Sequence, residues 1–435
     1  MTAAAPLLPS LSRYDPRSSS EGTLDPLGLY QVADQLATTL VPAVRERMVR
    51  IRFLTAMTVG AAVLQELEGR EADGEASPQL IWEWLVVEAI IRHANGGPVA
   101  RGVPGSQVTR RALNNHGYLD AVSYLKTPRI FGFHGVYKRL AVQLRLLDVN
   151  LAPGPHADLL LNAWAKDRQF TDFSGMKEET SRWREGVARS QHHSPPRTNP
   201  KWTGARWSEL AEALDPNEPG RREQRVLRDL LMSGGTEPLG ALPDIWGLGQ
   251  QHKHDTLNDR RAHRLLRRSS PRWRPLLNAI TACEAFARSL QDCFDAMRAA
   301  AGSAAGHGYR ISDIKSSSDF ASSADGLSER FRQAADALDK AGEAVQPSVG
   351  LFSERFHVFG GELRRVELAL ALLDHHDAIQ RAKSAEGKRS WVDRLGPDRI
   401  HLRFPYRLDG WAPSPGAYVH PYRTRPVLDF LRDLR

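Results

Sequence analysis

The chain has 435 residues, 41% hydrophobic and 25% charged, a globular composition with material for two or three cores rather than for a disordered or fibrous chain. Lysine and arginine outnumber aspartate and glutamate 59 to 51, and the pI is near 9.6; for this length the excess is modest, so its distribution carries the meaning. Cys283 and Cys293, the two cysteines, fall in one helical stretch about 15 Å apart along its axis, too far for a disulfide. A disulfide framework and a cysteine-built zinc site are thereby excluded, and a reducing, cytoplasmic location is expected.

In chain order, residues 1–23 read as a flexible leader without the basic and apolar regions of a secretory signal. Helical periodicity then runs through Leu29, Val32, Ala33, Leu36 and Leu40, and again through Met48, Ile51, Leu54 and Val59. A third helix is expected over Gln79 to Ala94, closed by Gly96-Gly97-Pro98. These make an N-terminal helical domain, 24–98. The most apolar runs, Phe53 to Leu64 and Leu80 to Ile91, fall short of the roughly 20 residues of a membrane span. Glu83 and Glu88 interrupt the second, and no membrane association is expected.

Residues 99–168 form the next unit. A short helix, Leu119 to Leu125, leads through Thr127-Pro128-Arg129 and Phe131-Gly132-Phe133-His134-Gly135 into a longer helix, Val136 to Asp148. Val136, Leu140, Leu144 and Leu147 share one face of it. Lys138, Arg139, Gln143 and Arg145 fall largely off that face. Pro153-Gly154-Pro155 follows where a wing or a tight helix connection belongs. This order reads either as a winged helix-turn-helix module or as an ordinary helical hairpin with a solvated basic face. In the first reading Arg129, Lys138, Arg139 and Arg145 meet phosphates. Between Arg101 and Asp148 there are eight lysines and arginines against two aspartates.

A linker is expected over 169–206, a central helical domain over 207–300 and a loop over 301–323. Two long helices, about 325–344 and 350–383, read as an antiparallel hairpin spanning 324–385. The remainder, 386–435, contains β structure. Arg399 to Phe404 alternates with period two, and Tyr418-Val419-His420 is the expected partner strand of a small C-terminal β-hairpin. The fold class is therefore mainly α, multi-domain.

The second basic run is His252 to Arg274, again with eight lysines and arginines against two aspartates. Lys253, Arg260, Arg261, Arg264, Arg267 and Arg268 are its candidate nucleic-acid contacts, with Trp273 available for stacking. His252, His254 and His263 could add charge at lower pH. An exposed basic helix end would look the same. His252, His254 and Asp255 also form a conceivable metal set. His375-His376-Asp377, beside Asp374, reads as a solvated helix face, because adjacent helical positions diverge by about 100°. The ten tryptophans are scattered as core or interface anchors. HExxH, paired CxxC, GxxxxGK[ST] and GxSxG are all missing from the sequence, so zinc protease, P-loop and α/β-hydrolase chemistry lack their signatures. No cofactor or metal is assigned.

Three segments carry a family resemblance: Asp25-Pro26-Leu27-Gly28 with Arg50-Ile51-Arg52-Phe53-Leu54-Thr55; Glu284 to Leu290 leading to Phe294-Asp295; and Gly387 to Trp391 with Tyr406-Arg407 and Tyr418 to Arg423. In these the chain resembles uncharacterised bacterial proteins encoded beside helicases and nucleases in phage-defence or restriction loci. The resemblance implies a DNA-associated subunit of a multi-protein system and supplies no catalytic residues. The functional expectation is a non-catalytic DNA-binding or scaffold subunit with helicase or nuclease partners. The alternatives are a protein-interaction module without DNA contact, or a metal-dependent nuclease whose site assembles only in the fold.

Overall fold

A computed structural model describes residues 25–67, 76–235, 237–253, 256–302, 304, 308–383, 388–408, 411–413 and 417–435; the expected leader lies outside them. In chain order the elements are α1 (Tyr30–Leu40), α2 (Phe53–Leu64), α3 (Pro78–His93), α4 (Ser106–His116), α5 (Pro128–Phe131), α6 (Phe133–Gln143), α7 (Ala157–Asp167), α8 (Lys177–Gln191), α9 (Gly204–Ala213), α10 (Arg221–Ser233), α11 (Leu242–Gln251), α12 (Asp259–Ser269) and α13 (Arg274–Gly302). After these come β1 (Tyr309–Arg310), α14 (Ser318–Ala324), α15 (Leu327–Lys340), α16 (Gln346–Phe356), α17 (Arg365–Arg381), β2 (Val392–Arg394), β3 (Arg399–Leu402) and α18 (Thr424–Asp433). The chain is mainly helical with one small antiparallel sheet. None of the described helices is long and apolar enough to cross a membrane.

The chain divides into two compact units. The larger comprises Leu40–Ser269 and Tyr422–Arg435. Its centre is α2, whose side chains are apolar nearly all round and buried except at Ala62, the signature of a helix enclosed by others. α3, α6, α7 and α8 pack around it. α3 starts where Ser77 Oγ accepts the Leu80 N–H (3.3 Å) and Pro78 takes the first turn, a position that needs no N–H. Trp82, Trp164 and Trp183 are buried in a row, with ring centroids 6.1 and 6.4 Å apart. The first two donate their indole N–H to the carbonyls of Ala56 and Ala213. Gly60 makes room for this row, since a Cβ there would lie 2.3 Å from Trp82 Nε1. The segment expected as a linker, 169–206, carries α8 with Trp183 on its buried side. α18 returns the C-terminus to this unit: Asp433 pairs with Arg50 (2.8 Å) and accepts the Ile51 N–H.

Of the described residues, the smaller unit comprises those from Asp25 to Thr39 and from Ser270 to Pro421. α13 is its spine, packed against α14, α15 and α17. Phe286 on α13 meets Phe331, Phe352 and Phe356 edge-on at 5.3–5.7 Å, a favoured aromatic geometry. The expected hairpin of two long helices is three, α15, α16 and α17, because the chain turns at Gly342 (φ +90°) and again at Gly360-Gly361. The expected loop 301–323 contains β1 and α14.

The C-terminal strand is where the alternation places it, but its partners differ. β3 is central, with the strand order β1-β3-β2, and pairs Val392↔Leu402 and Tyr309↔Ile400. The connection from β2 turns at Gly396 (φ +81°). Tyr418-Val419-His420 forms no strand. The Val419 and His420 N–H groups are instead taken by the buried carboxylate of Glu284 on α13.

Candidate nucleic-acid interface

α12 begins where Asn258 Oδ1 accepts the Arg261 N–H (2.9 Å), an N-cap interaction. Lys253, exposed just upstream, anchors the preceding turn with its carbonyl, which accepts from Thr256. At 100° per residue, Arg260, Arg261, Arg264, Arg267 and Arg268 fan over about 120° of the helix. The fan lies opposite the buried Ala262, His263 and Leu266. Arg260, Arg261, Arg264 and Arg268 are exposed and Arg267 is half-buried. Arg261 reaches the Thr256 carbonyl (3.1 Å), while Arg264 and Arg268 have no acidic partner among the described residues.

The acid of this helix is turned inward. Asp259 Oδ1 accepts the N–H groups of Tyr422 (3.0 Å) and Thr424 (3.3 Å), so it holds the start of α18. His263 does not add charge at lower pH, contrary to the sequence expectation. It is fully buried against the Tyr422 ring, and burial, with Arg267 nearby, pushes its pKa down to about 3. Arg272, Trp273 and Arg274 belong to the smaller unit, so the sequence run is not one surface element.

The other basic face is on α6. Val136, Leu140 and Leu144, with Leu147 beyond, are buried and Lys138 and Arg139 exposed, as the periodicity predicts. Arg145, also exposed, follows the helix in the left-handed region (φ +58°), where its carbonyl accepts the His156 N–H. Arg129 lies in α5. The rest of the expected module differs in detail. Asp120 to Ser123 form a turn rather than a helix, and α5 is a single turn. Where a wing would stand, a tight loop is closed by the bridge Leu147↔Pro153.

A buried carboxylate fixes the start of α6. Glu83, on α3, accepts from the Tyr124 hydroxyl (2.8 Å) and the His134 backbone N–H (3.0 Å), and lies 3.0 Å from His134 Nδ1. Gly132 admits it, since a Cβ would come within 1.9 Å of Glu83 Oε1. Negative charge at a helix N-terminus is favourable, so this Glu aligns α6 and with it Lys138 and Arg139. Sequence reading missed this role, because the partners lie on separate segments.

Of the metal candidates, His254 and Asp255 lie outside the described residues. Among the described residues no group of three His, Cys, Asp or Glu side chains could hold a metal ion. The His375-His376 pair is not a solvated face. His376 is fully buried, its Nδ1 donating to the Pro26 carbonyl (2.9 Å) and its Nε2 accepting the Trp391 N–H (3.0 Å). His375 bonds the Leu27 carbonyl (2.8 Å). Both rings therefore pin the Asp25-Pro26-Leu27 turn. Asp374 and Asp377 pair with Arg394. Cys283 and Cys293 are buried free thiols, which burial pushes up in pKa, Cys293 to about 12.

Against known proteins, no family model, no curated protein and no solved structure matches the chain.

Proposed function

We propose that the chain is a non-catalytic subunit that binds duplex DNA, through α12 first and α6 second. The observation that supports this most is the arginine fan of α12, whose aspartate is turned inward to cap another helix. From Arg260 to Arg268 the helix rises about 12 Å, a length over which duplex DNA carries roughly seven phosphate charges. Arg264 and Arg268 stand four residues apart on this face, a spacing at which like charges repel, and neither has an acidic partner among the described residues. The resemblance to proteins of phage-defence loci adds the expectation of a helicase or nuclease partner in a cytoplasmic complex.

The test is fluorescence anisotropy of a labelled duplex across about 50 to 200 mM salt. Wild type should bind with a steep salt dependence and little sequence preference. Arg264→Glu with Arg268→Glu should weaken binding at least tenfold and flatten the log–log salt slope by about two. Lys138→Glu with Arg139→Glu should weaken it less. No binding by wild type at the lowest salt, or binding indifferent to the α12 reversals, overturns the proposal.

A further inference from the structure

A second cationic feature of the larger unit lies away from α12 and was not singled out by any run of charge. α7 and α10 pack side by side and leave an open trough of about 510 Å³ between them. Its ends are fixed by Asp167, the last residue of α7. Asp167 Oδ2 accepts the Arg222 and Glu223 N–H groups (2.8 and 2.9 Å) at the start of α10. Gly220 allows the approach, because a Cβ there would stand 2.3 Å from that oxygen. The trough is thus held at a set width by backbone bonding.

Its lining combines the apolar Leu159, Ala163 and Val226 with the cationic Lys166, Arg222 and Arg225. Leu159 is 57% exposed, although a helix this well packed has buried positions for a leucine. Lys166 and Arg225 are exposed; Lys166 lies in the field of Asp172, and Arg225 has no acidic partner among the described residues. Arg221 and Arg222 open α10, at the helix end whose dipole disfavours cations. Of the two, Arg222 is paired with Asp167 (3.3 Å), which offsets that cost. Asp158 is the acidic residue of the lining.

We infer that this trough binds an acidic, amphipathic segment of a partner protein. An apolar side chain would lie over Leu159 and Val226, and flanking carboxylates would meet Lys166 and Arg225. A planar guanidinium fork matches a carboxylate in bidentate fashion. An apolar lining beside cations suits an anchor residue in a groove. A nucleic-acid strand fits less well, because the lining offers no aromatic ring on which a base could stack.

The inference is independent of DNA binding by α12, and its test keeps the two apart. A random peptide-display library is selected on the immobilised full chain, and the most enriched peptide is synthesised with a fluorescent label. Enriched sequences should carry Leu, Ile or Phe flanked by Asp and Glu. The labelled peptide should bind at least tenfold more weakly to Lys166→Glu/Arg225→Glu and to Leu159→Asp. These positions are at the surface, so circular dichroism should show an unchanged fold. Arg264→Glu/Arg268→Glu should leave peptide binding intact, and the trough variants should leave duplex binding intact. Selection of no peptide, enrichment without acidic residues, or equal binding by the trough variants would overturn the inference. Loss of duplex binding in the trough variants, with peptide binding unchanged, would assign the trough to nucleic acid instead.

Discussion

His376 shows what one residue can conceal. In the sequence it is half of a histidine pair beside two aspartates, which invites either a metal or a wet helix face. In the fold its neutral ring is committed at both nitrogens, with Phe294 tilted against it at 4.9 Å and Trp391 edge-on at 5.4 Å. Burial, opposed by the Pro26 carbonyl and Asp377 and assisted by Lys383 and Arg298, pushes its pKa down to about 4. Between the unfolded value near 6.5 and about 4, the unfolded chain binds a proton that the native ring refuses. Stability therefore falls as the pH is lowered through that window, by roughly 3 kcal/mol when complete. Urea denaturation from pH 7 to pH 4 should show this decline, and His376→Asn should flatten it by about one proton even though it lowers the plateau at pH 7. An unchanged pH slope in the variant would exclude the assignment. The same blindness affects Glu83. Its neighbours in sequence are apolar, and its partners Tyr124 and His134 come from elsewhere, so only its interruption of an apolar run was legible.

At the level of elements, what could be read was which face of a helix is buried, because that depends on spacing alone. Val136 and Leu140 on α6, with Leu144 at its end, were placed correctly for this reason. What could not be read was which partner satisfies a polar group. Tyr418-Val419-His420 has the composition of a strand, yet Glu284 takes its N–H groups before any strand can. Asp259 counted as a charge opposing the arginines; that it also caps α18 across space was not legible. Asp259→Ala should therefore destabilise the larger unit by about 1–2 kcal/mol, through two N–H groups left without their acceptor. Asp259→Asn, which keeps a side-chain oxygen, should recover most of that loss. Chemical denaturation at neutral pH measures both. If the two variants are equally stable, the capping role is wrong and the carboxylate acts through its charge.

Across the whole molecule, composition divides the chain into consecutive segments, but the compact units do not follow them. The chain changes unit at Thr39–Leu40, Ser269–Ser270 and Pro421–Tyr422. Single prolines, Pro271 and Pro421, stand at the second and third of these, but periodicity reports that a face is buried without saying against what. The consequence is that the last residues of the chain belong to the core that carries α12. α18 packs on α11 and α12, and Phe430 is fully buried within it. Phe430→Ala should cost about 3–5 kcal/mol as a core cavity. The loss should reach beyond α18: amide hydrogen exchange should accelerate in α11 and α12, and duplex binding should weaken although no cation has been altered. Acceleration confined to α18, with binding unchanged, would mean that the arginine fan is presented by α12 alone and that the returning C-terminus is not needed to hold it.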